Sequence, residues 1–163
     1  MGRSAGSYRR VQRIAHKASV SLLGYVPEPE VPLGLPPPLR GSAPSTIDKG
    51  TWSEGAVLVA LLRLGYNVLI PFGVARYDLV IETAAGFKRV QCKTGQKVGG
   101  VLVVSTISKG KRYVGDVDYF GVHDIASGCV YMVPFEAVGN RRVMHLRLDG
   151  KPGGRDAKLF QIA

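Results

Sequence analysis

Asp78, Gln91 and Lys93 carry the most suggestive chemistry in this chain. An acid opens the apolar run Leu79-Val80-Ile81, and a short turn later Lys88-Arg89-Val90-Gln91-Cys92-Lys93 sets an amide and an ammonium one alternation apart. Strand side chains alternate between faces, so pairing the two segments as a hairpin gathers all three on one side of a sheet. Leu79, Ile81, Val90 and Cys92 then fall on the other side, where burial suits them. A carboxylate and an oxygen donor beside an ammonium meet the needs of metal-assisted attack on a phosphodiester. Such attack uses a divalent cation to polarise the phosphate and to lower the pKa of its water, and hard cations such as Mg2+ take oxygen ligands. Asp78 offers a carboxylate, Gln91 its side-chain carbonyl, and Cys92 its backbone carbonyl between two site residues. Glu54 can approach from a preceding helix, directly or through a water. Lys93 sits where an ammonium holds the attacking water or offsets charge developing on phosphorus.

Each of these residues also has a plainer explanation. Thr51-Trp52-Ser53-Glu54 fits a capping box, in which Glu54 merely satisfies a helix-end amide. Asp78 alone is an edge charge, and Gln91 with Lys93 is a solvated strand face. Their joint placement on one face is what favours a site. His16, His123 and His145 are scattered, and His123 reads as structural or surface. Ser105, Thr106 and Ser108 have no matching His or Asp spacing for a nucleophilic triad. Residues 95–100 lack the ending of a P-loop and read as a mobile turn. Lys97, Lys109, Lys111 and Arg112, interleaved with Tyr113, flank the site and are suited to tracking phosphates, although charge runs are more often simply solvated. Arg9, Arg10 and Arg13, with Arg3 and Lys17, form a basic arm that gains affinity for a polyanion through counterion release.

The elements that must position these groups follow from periodicity. Residues 51–64 read as a helix apolar nearly all round, stopped by Gly65, with Trp52 as a core anchor. Glu54 shares a stripe with Val57, Leu58, Leu61 and Leu62, which aims its carboxylate at protein. Strands are expected over 67–71, 77–83 and 87–93, the last two joined by a turn at 84–86, with a fourth over 101–106. Residues 119–124 and 129–134 form a further strand pair around 126–128, followed by a helical turn over 135–138. The tail alternates weakly and turns at 152–154. Residues 1–45 are a basic arm and proline-rich linker, extended and poorly ordered, and residues 46–163 are the folded domain.

Composition narrows the class. With 163 residues, 45% of them hydrophobic, the chain has room for one ordinary core. Its 22 Lys and Arg against 12 Asp and Glu leave a net charge of +10, which points to nucleic acid as a partner. The apolar run over 55–70 is broken by Arg63, Gly65 and Asn67, so no membrane span is expected. The N-terminus does not read as a secretory signal. Cys92 and Cys129 lack metal-type spacing, and a reducing, cytoplasmic location is the default.

The order of a helix Glu, a strand Asp and a residue-x-Lys triplet resembles the PD-(D/E)XK nuclease superfamily. Within it the match is to group I intron-associated homing endonucleases, with archaeal Holliday junction resolvases more distant. The supporting residues are Lys49-Gly50 through Glu54, Gly65-Tyr66, Tyr77-Asp78-Leu79-Val80, Gln91-Cys92-Lys93-Thr94, the segment from Tyr113 to Tyr119 with Asp118, and Tyr131-Met132-Val133-Pro134. The resemblance implies an α/β fold: a restriction-endonuclease-like three-layer core with a central mixed β-sheet flanked by helices. It also implies Mg2+-dependent cleavage of double-stranded DNA by a homo-oligomer with two active sites. Tyr77 stands where the naming proline would be, and Gln91 where a Glu is usual, so one negative charge is missing from the metal site. The alternatives are a nuclease-fold module that binds DNA or RNA with little or no cutting, a Holliday junction resolvase, or a structural RNA-binding protein.

Overall fold

A computed structural model of the chain describes residues 45–150 and 155–163. The basic arm, with Arg9, Arg10 and Arg13, and the turn at 152–154 lie outside the described residues.

Helix α1 (Thr46–Arg63) begins five residues before the expected start. Its cap is Ser45, whose hydroxyl accepts the Asp48 amide at 3.2 Å while the Asp48 carboxylate accepts the Ser45 amide at 2.9 Å. The capping box therefore uses Asp48 and leaves Glu54 free for another role, since orphan helix-end donors are already satisfied. Gly65 ends the helix in the left-handed region at φ 85°. Its amide and that of Tyr66 return to the Leu62 and Leu61 carbonyls. Burial is one-sided: Ser53, Val57, Ala60 and Leu61 face the sheet. Trp52 is 51% exposed and Leu62 52%, so Trp52 is not the expected core anchor and Leu62 lies off the buried stripe.

The sheet is mixed. Strands β1 (Val68–Leu69) and β2 (Leu79–Thr83) pair antiparallel, and β2 pairs antiparallel with β3 (Gly86–Val98), Leu79 facing Val90. The far part of β3 pairs with β4 (Val101–Ser105). A small hairpin, β5 (Ile107–Ser108) and β6 (Lys111–Arg112), then leads to β7 (Tyr119–Asp124), which runs parallel to β3. Parallel neighbours need a long crossover, and here β4 and the hairpin supply it. Strand β8 (Val130–Pro134) returns antiparallel to β7, then the single turn α2 (Phe135–Val138) leads to β9 (Val143–Arg147), which pairs with β4. The short β10 (Arg155–Asp156) lies parallel to β9, followed by a 3-10 turn at Ala157–Leu159.

Two apolar layers sandwich the sheet. On one face Val57, Ala60 and Leu61 of α1 meet Leu79, Ile81, Val90 and Cys92. Gly121 permits this seating, because a Cβ there would come within 2.7 Å of the Val57 side chain. On the other face Phe120, Val122 and Val133 meet Leu102, Val104, Met144 and Leu146, so the second covering layer is built from β4 and β9. Strand β3 does not stop at Lys93 and turn, as its glycines imply, but continues through Gly95, where a Cβ would meet Leu102 at 2.6 Å. A strand glycine of this kind marks a close approach of neighbouring chain. Among the described residues no helix is long and apolar enough to cross a membrane.

Candidate active site

Asp78 immediately precedes β2, and its amide donates to the Val90 carbonyl at 2.9 Å, extending the β2–β3 ladder by one step. That register puts Asp78 opposite Gln91. The Asp78 Oδ2 accepts the Cys92 amide at 2.7 Å and also the Gln91 Nε2. Gln91 Nε2 donates as well to the Cys92 carbonyl at 3.3 Å. Val90 and Cys92 are buried under α1, while Gln91 and Lys93, on the alternate positions, are half-buried on the opposite face.

Lys93 reaches a residue that spacing alone does not identify. Its Nζ donates to the Tyr113 hydroxyl at 2.9 Å and lies 4.8 Å from the ring centroid. Tyr113 is itself buried, edge-on to Phe120 with centroids 5.8 Å apart. The Arg76 guanidinium also stacks on this ring, 4.7 Å from its centroid, and is held by Asp116 at 2.8 Å and by the Arg112 carbonyl at 2.6 Å. Arg76 therefore ties the basic hairpin to the site. The sequence signals for this pair are slight: a tyrosine among basic residues and an arginine two places before Asp78. Asp118 is structural, accepting both the amide and the side chain of Arg89.

Glu54 does not point into protein as expected. It sits on the shoulder of the buried stripe with its surface open to solvent. It nevertheless lies within electrostatic reach of Asp78. Partial burial, and then the Asp78 charge, raise the Glu54 carboxyl above its ordinary range. Burial likewise raises Asp78, against the opposing effects of the Cys92 amide and the Lys93 charge. Burial also pushes the Cys92 thiol far up, so it is no anionic ligand at neutral pH. A partly buried Asp78 whose charge is felt by Glu54 makes a site that favours a cation. Among the described residues no group of three or more His, Cys, Asp or Glu side chains gathers to hold a metal. Gln91 Nε2 bridges the Asp78 carboxylate and the Cys92 carbonyl, and these oxygens, with the Gln91 amide oxygen and the Glu54 carboxylate in electrostatic range, are of the type that fits a hard cation.

Adjacent hydroxyls link helix and strand: Ser53 and Thr94 lie 2.7 Å apart, and each is within reach of the Lys49 carbonyl, at 2.9 and 3.2 Å, so that one hydroxyl donates to the carbonyl and the other to its neighbour. Lys97 is exposed near the end of β3, and Lys109, Lys111 and Arg112 are exposed on the β5–β6 hairpin. His123 is half-buried, and burial lowers its pKa, leaving a neutral ring.

A mixed sheet crossed by one long helix, with its polar residues gathered where β2 and β3 begin to pair, has the restriction-endonuclease-like α/β fold. The chain belongs to the PD-(D/E)XK endonuclease family, whose model matches residues 44–161. In structure it is similar to the bacterial homing endonuclease I-Ssp6803I, with a TM-score of 0.58 and 24% sequence identity, the match covering 72% of this chain and 86% of that one. No curated protein matches the sequence.

Proposed function

We propose that this endonuclease cuts both strands of duplex DNA by Mg2+-dependent hydrolysis, in the manner of a homing endonuclease acting in the cytoplasm. The observation that carries this reading is the convergence of Asp78, Gln91 and the Cys92 backbone on one face, with Lys93 beside them and the Glu54 charge felt from α1. Asp78, Glu54 and the Cys92 carbonyl would hold the cation, with Gln91 joining them when its amide is turned to present oxygen. Bound there, Mg2+ supplies a polarised phosphate and a more acidic water. Asp78 is oriented by the Cys92 amide. Lys93, oriented by the Tyr113 hydroxyl, steadies the water and the charge growing on the non-bridging oxygens. The basic hairpin would follow the backbone, and the basic charges of residues 1–45 would add affinity for it.

Cutting both strands calls for two such sites, hence a homo-oligomer. Its support is apolar surface exposed among the described residues: Trp52, Val59 and Leu62 on α1, and fully exposed Phe72 and Val74 in the loop between β1 and β2. The deciding experiment is cleavage of plasmid, linear duplex and four-way junction with Mg2+ or with chelator. Double-strand breaks that need the cation support the reading, and selective junction cutting would replace it with a resolvase. One observation favours a binding module of low activity: Gln91 adds no negative charge and donates to Asp78. Tight DNA retention without cutting at any divalent-ion concentration would establish that second reading.

A further inference from the structure

The outer surface of β4 and β9 holds a concavity of about 620 Å³ that none of the site residues lines. Alternation builds it. Leu102, Val104, Met144 and Leu146 turn into the core, which leaves Val101, Val103, His145 and Arg147 on the outside, with Val101 paired to Arg147 and Val103 to His145. Val98 completes an apolar floor, and Arg141, Arg147 and Arg155 stand around it.

We propose that this concavity seats the phosphodiester backbone of duplex DNA flanking the cut, at a place separate from the residues that cut. The proposal rests on the nuclease reading above and adds where the substrate lies. Guanidiniums around an apolar floor suit a sugar–phosphate strand, since the sugars are covered by valines while the phosphate oxygens take forked N–H donors. The arginines are preset. Arg147 is braced by Asp149 at 3.0 and 3.1 Å, and Arg155 donates through Nε to the Ala137 carbonyl at 2.5 Å. The backbone at Arg141 is pinned by the buried Thr106 hydroxyl, which donates to its carbonyl at 2.5 Å. Burial, and then the nearby Arg141 charge, lower the pKa of Arg155, as expected of two cations held near one another. Strand β3 joins this surface to the site. Val98 is five residues beyond Lys93, at most about 17 Å of strand, an odd step that turns the two side chains to opposite faces of β3. That length is about five base-pair steps of duplex.

The test is duplex affinity measured by fluorescence anisotropy across a salt series, without divalent ions, using the full chain. Arg141→Gln removes one groove cation, and Arg63→Gln removes the same charge from the exposed end of α1 as a control. The paired change Arg147→Gln with Asp149→Asn removes a second groove cation at constant net charge. For every phosphate the protein no longer neutralises, the plot of log affinity against log salt should flatten by about 0.9. We expect that flattening, with a drop of about tenfold in low-salt affinity, for both groove variants and not for the control. Cleavage at saturating enzyme should persist. Groove variants indistinguishable from Arg63→Gln, in a protein that binds and cuts duplex, overturn the groove and leave the nuclease standing. A fall in affinity for an RNA duplex with DNA affinity unchanged also overturns it. A wild-type chain with no duplex affinity sinks both.

Discussion

The two faces of β3 divide the labour of this molecule. On one face Val90 and Cys92 lie in a dry layer under α1, and on the other Gln91 and Lys93 remain half-open beside Asp78 and Tyr113. The comparison teaches that the apolar face writes the register on which the polar face depends. A slip of one residue would bury Lys93 against the helix and expose Val90, so packing alone fixes which residues meet Asp78. Stability and chemistry are separable by substitution even though they alternate along one strand.

The strongest way to break this division is through the polar face. Asp78→Ala and Lys93→Ala should each lower cleavage by about 10³-fold, the scale for removing a group that stabilises transition-state charge. DNA retention on a filter should survive in both, and cleavage equal to wild type in both would dissolve the site. The opposite face should respond in stability instead. Val90→Thr buries a hydroxyl in a fully enclosed position. It should cost about 1–3 kcal/mol in denaturant unfolding, with cleavage per folded molecule unchanged. Tyr113→Phe keeps the ring and removes only the acceptor for Lys93. A rate reduction of about tenfold, roughly 1.4 kcal/mol, with unaltered substrate affinity is expected, and single-turnover kinetics separates the two. Gln91→Glu should have the smallest effect and the most informative sign. A third carboxylate strengthens the hold on Mg2+, seen as half-maximal cleavage at lower Mg2+. Because crowding raises the carboxyls of Asp78 and Glu54 further, they stay protonated to higher pH, and the acid limb of the activity profile should move upward.

Much of this arrangement is legible in the residues, because alternation is a local property. The strands at Tyr119–Asp124 and Val130–Pro134 and the helical turn at Phe135–Val138 stand where hydropathy and turn residues put them. Asp78, Gln91 and Lys93 share a face for the same reason. The start of helix α1 is hidden because Asp48 replaces the usual Glu in the cap, and Gly50 interrupts the pattern where the helix is already under way. Gly95 looks like a turn because nothing local announces that Leu102 will press on it. Tyr113 lies 20 residues from Lys93, and a crossover brings them together. Strand β9 is faint because its outer positions include His145 and Arg147, which belong to the groove.

The hydroxyl pair of Ser53 and Thr94 has a consequence beyond stapling helix to strand. Ser53 is the immediate neighbour of Glu54, and Thr94 of Lys93, so one approach of 2.7 Å joins the residues adjoining two candidate reactive groups from different layers. The contact fixes the backbone of α1 against that of β3 one residue away from each group, so a shift of the helix that keeps it carries the backbones at Glu54 and Lys93 together.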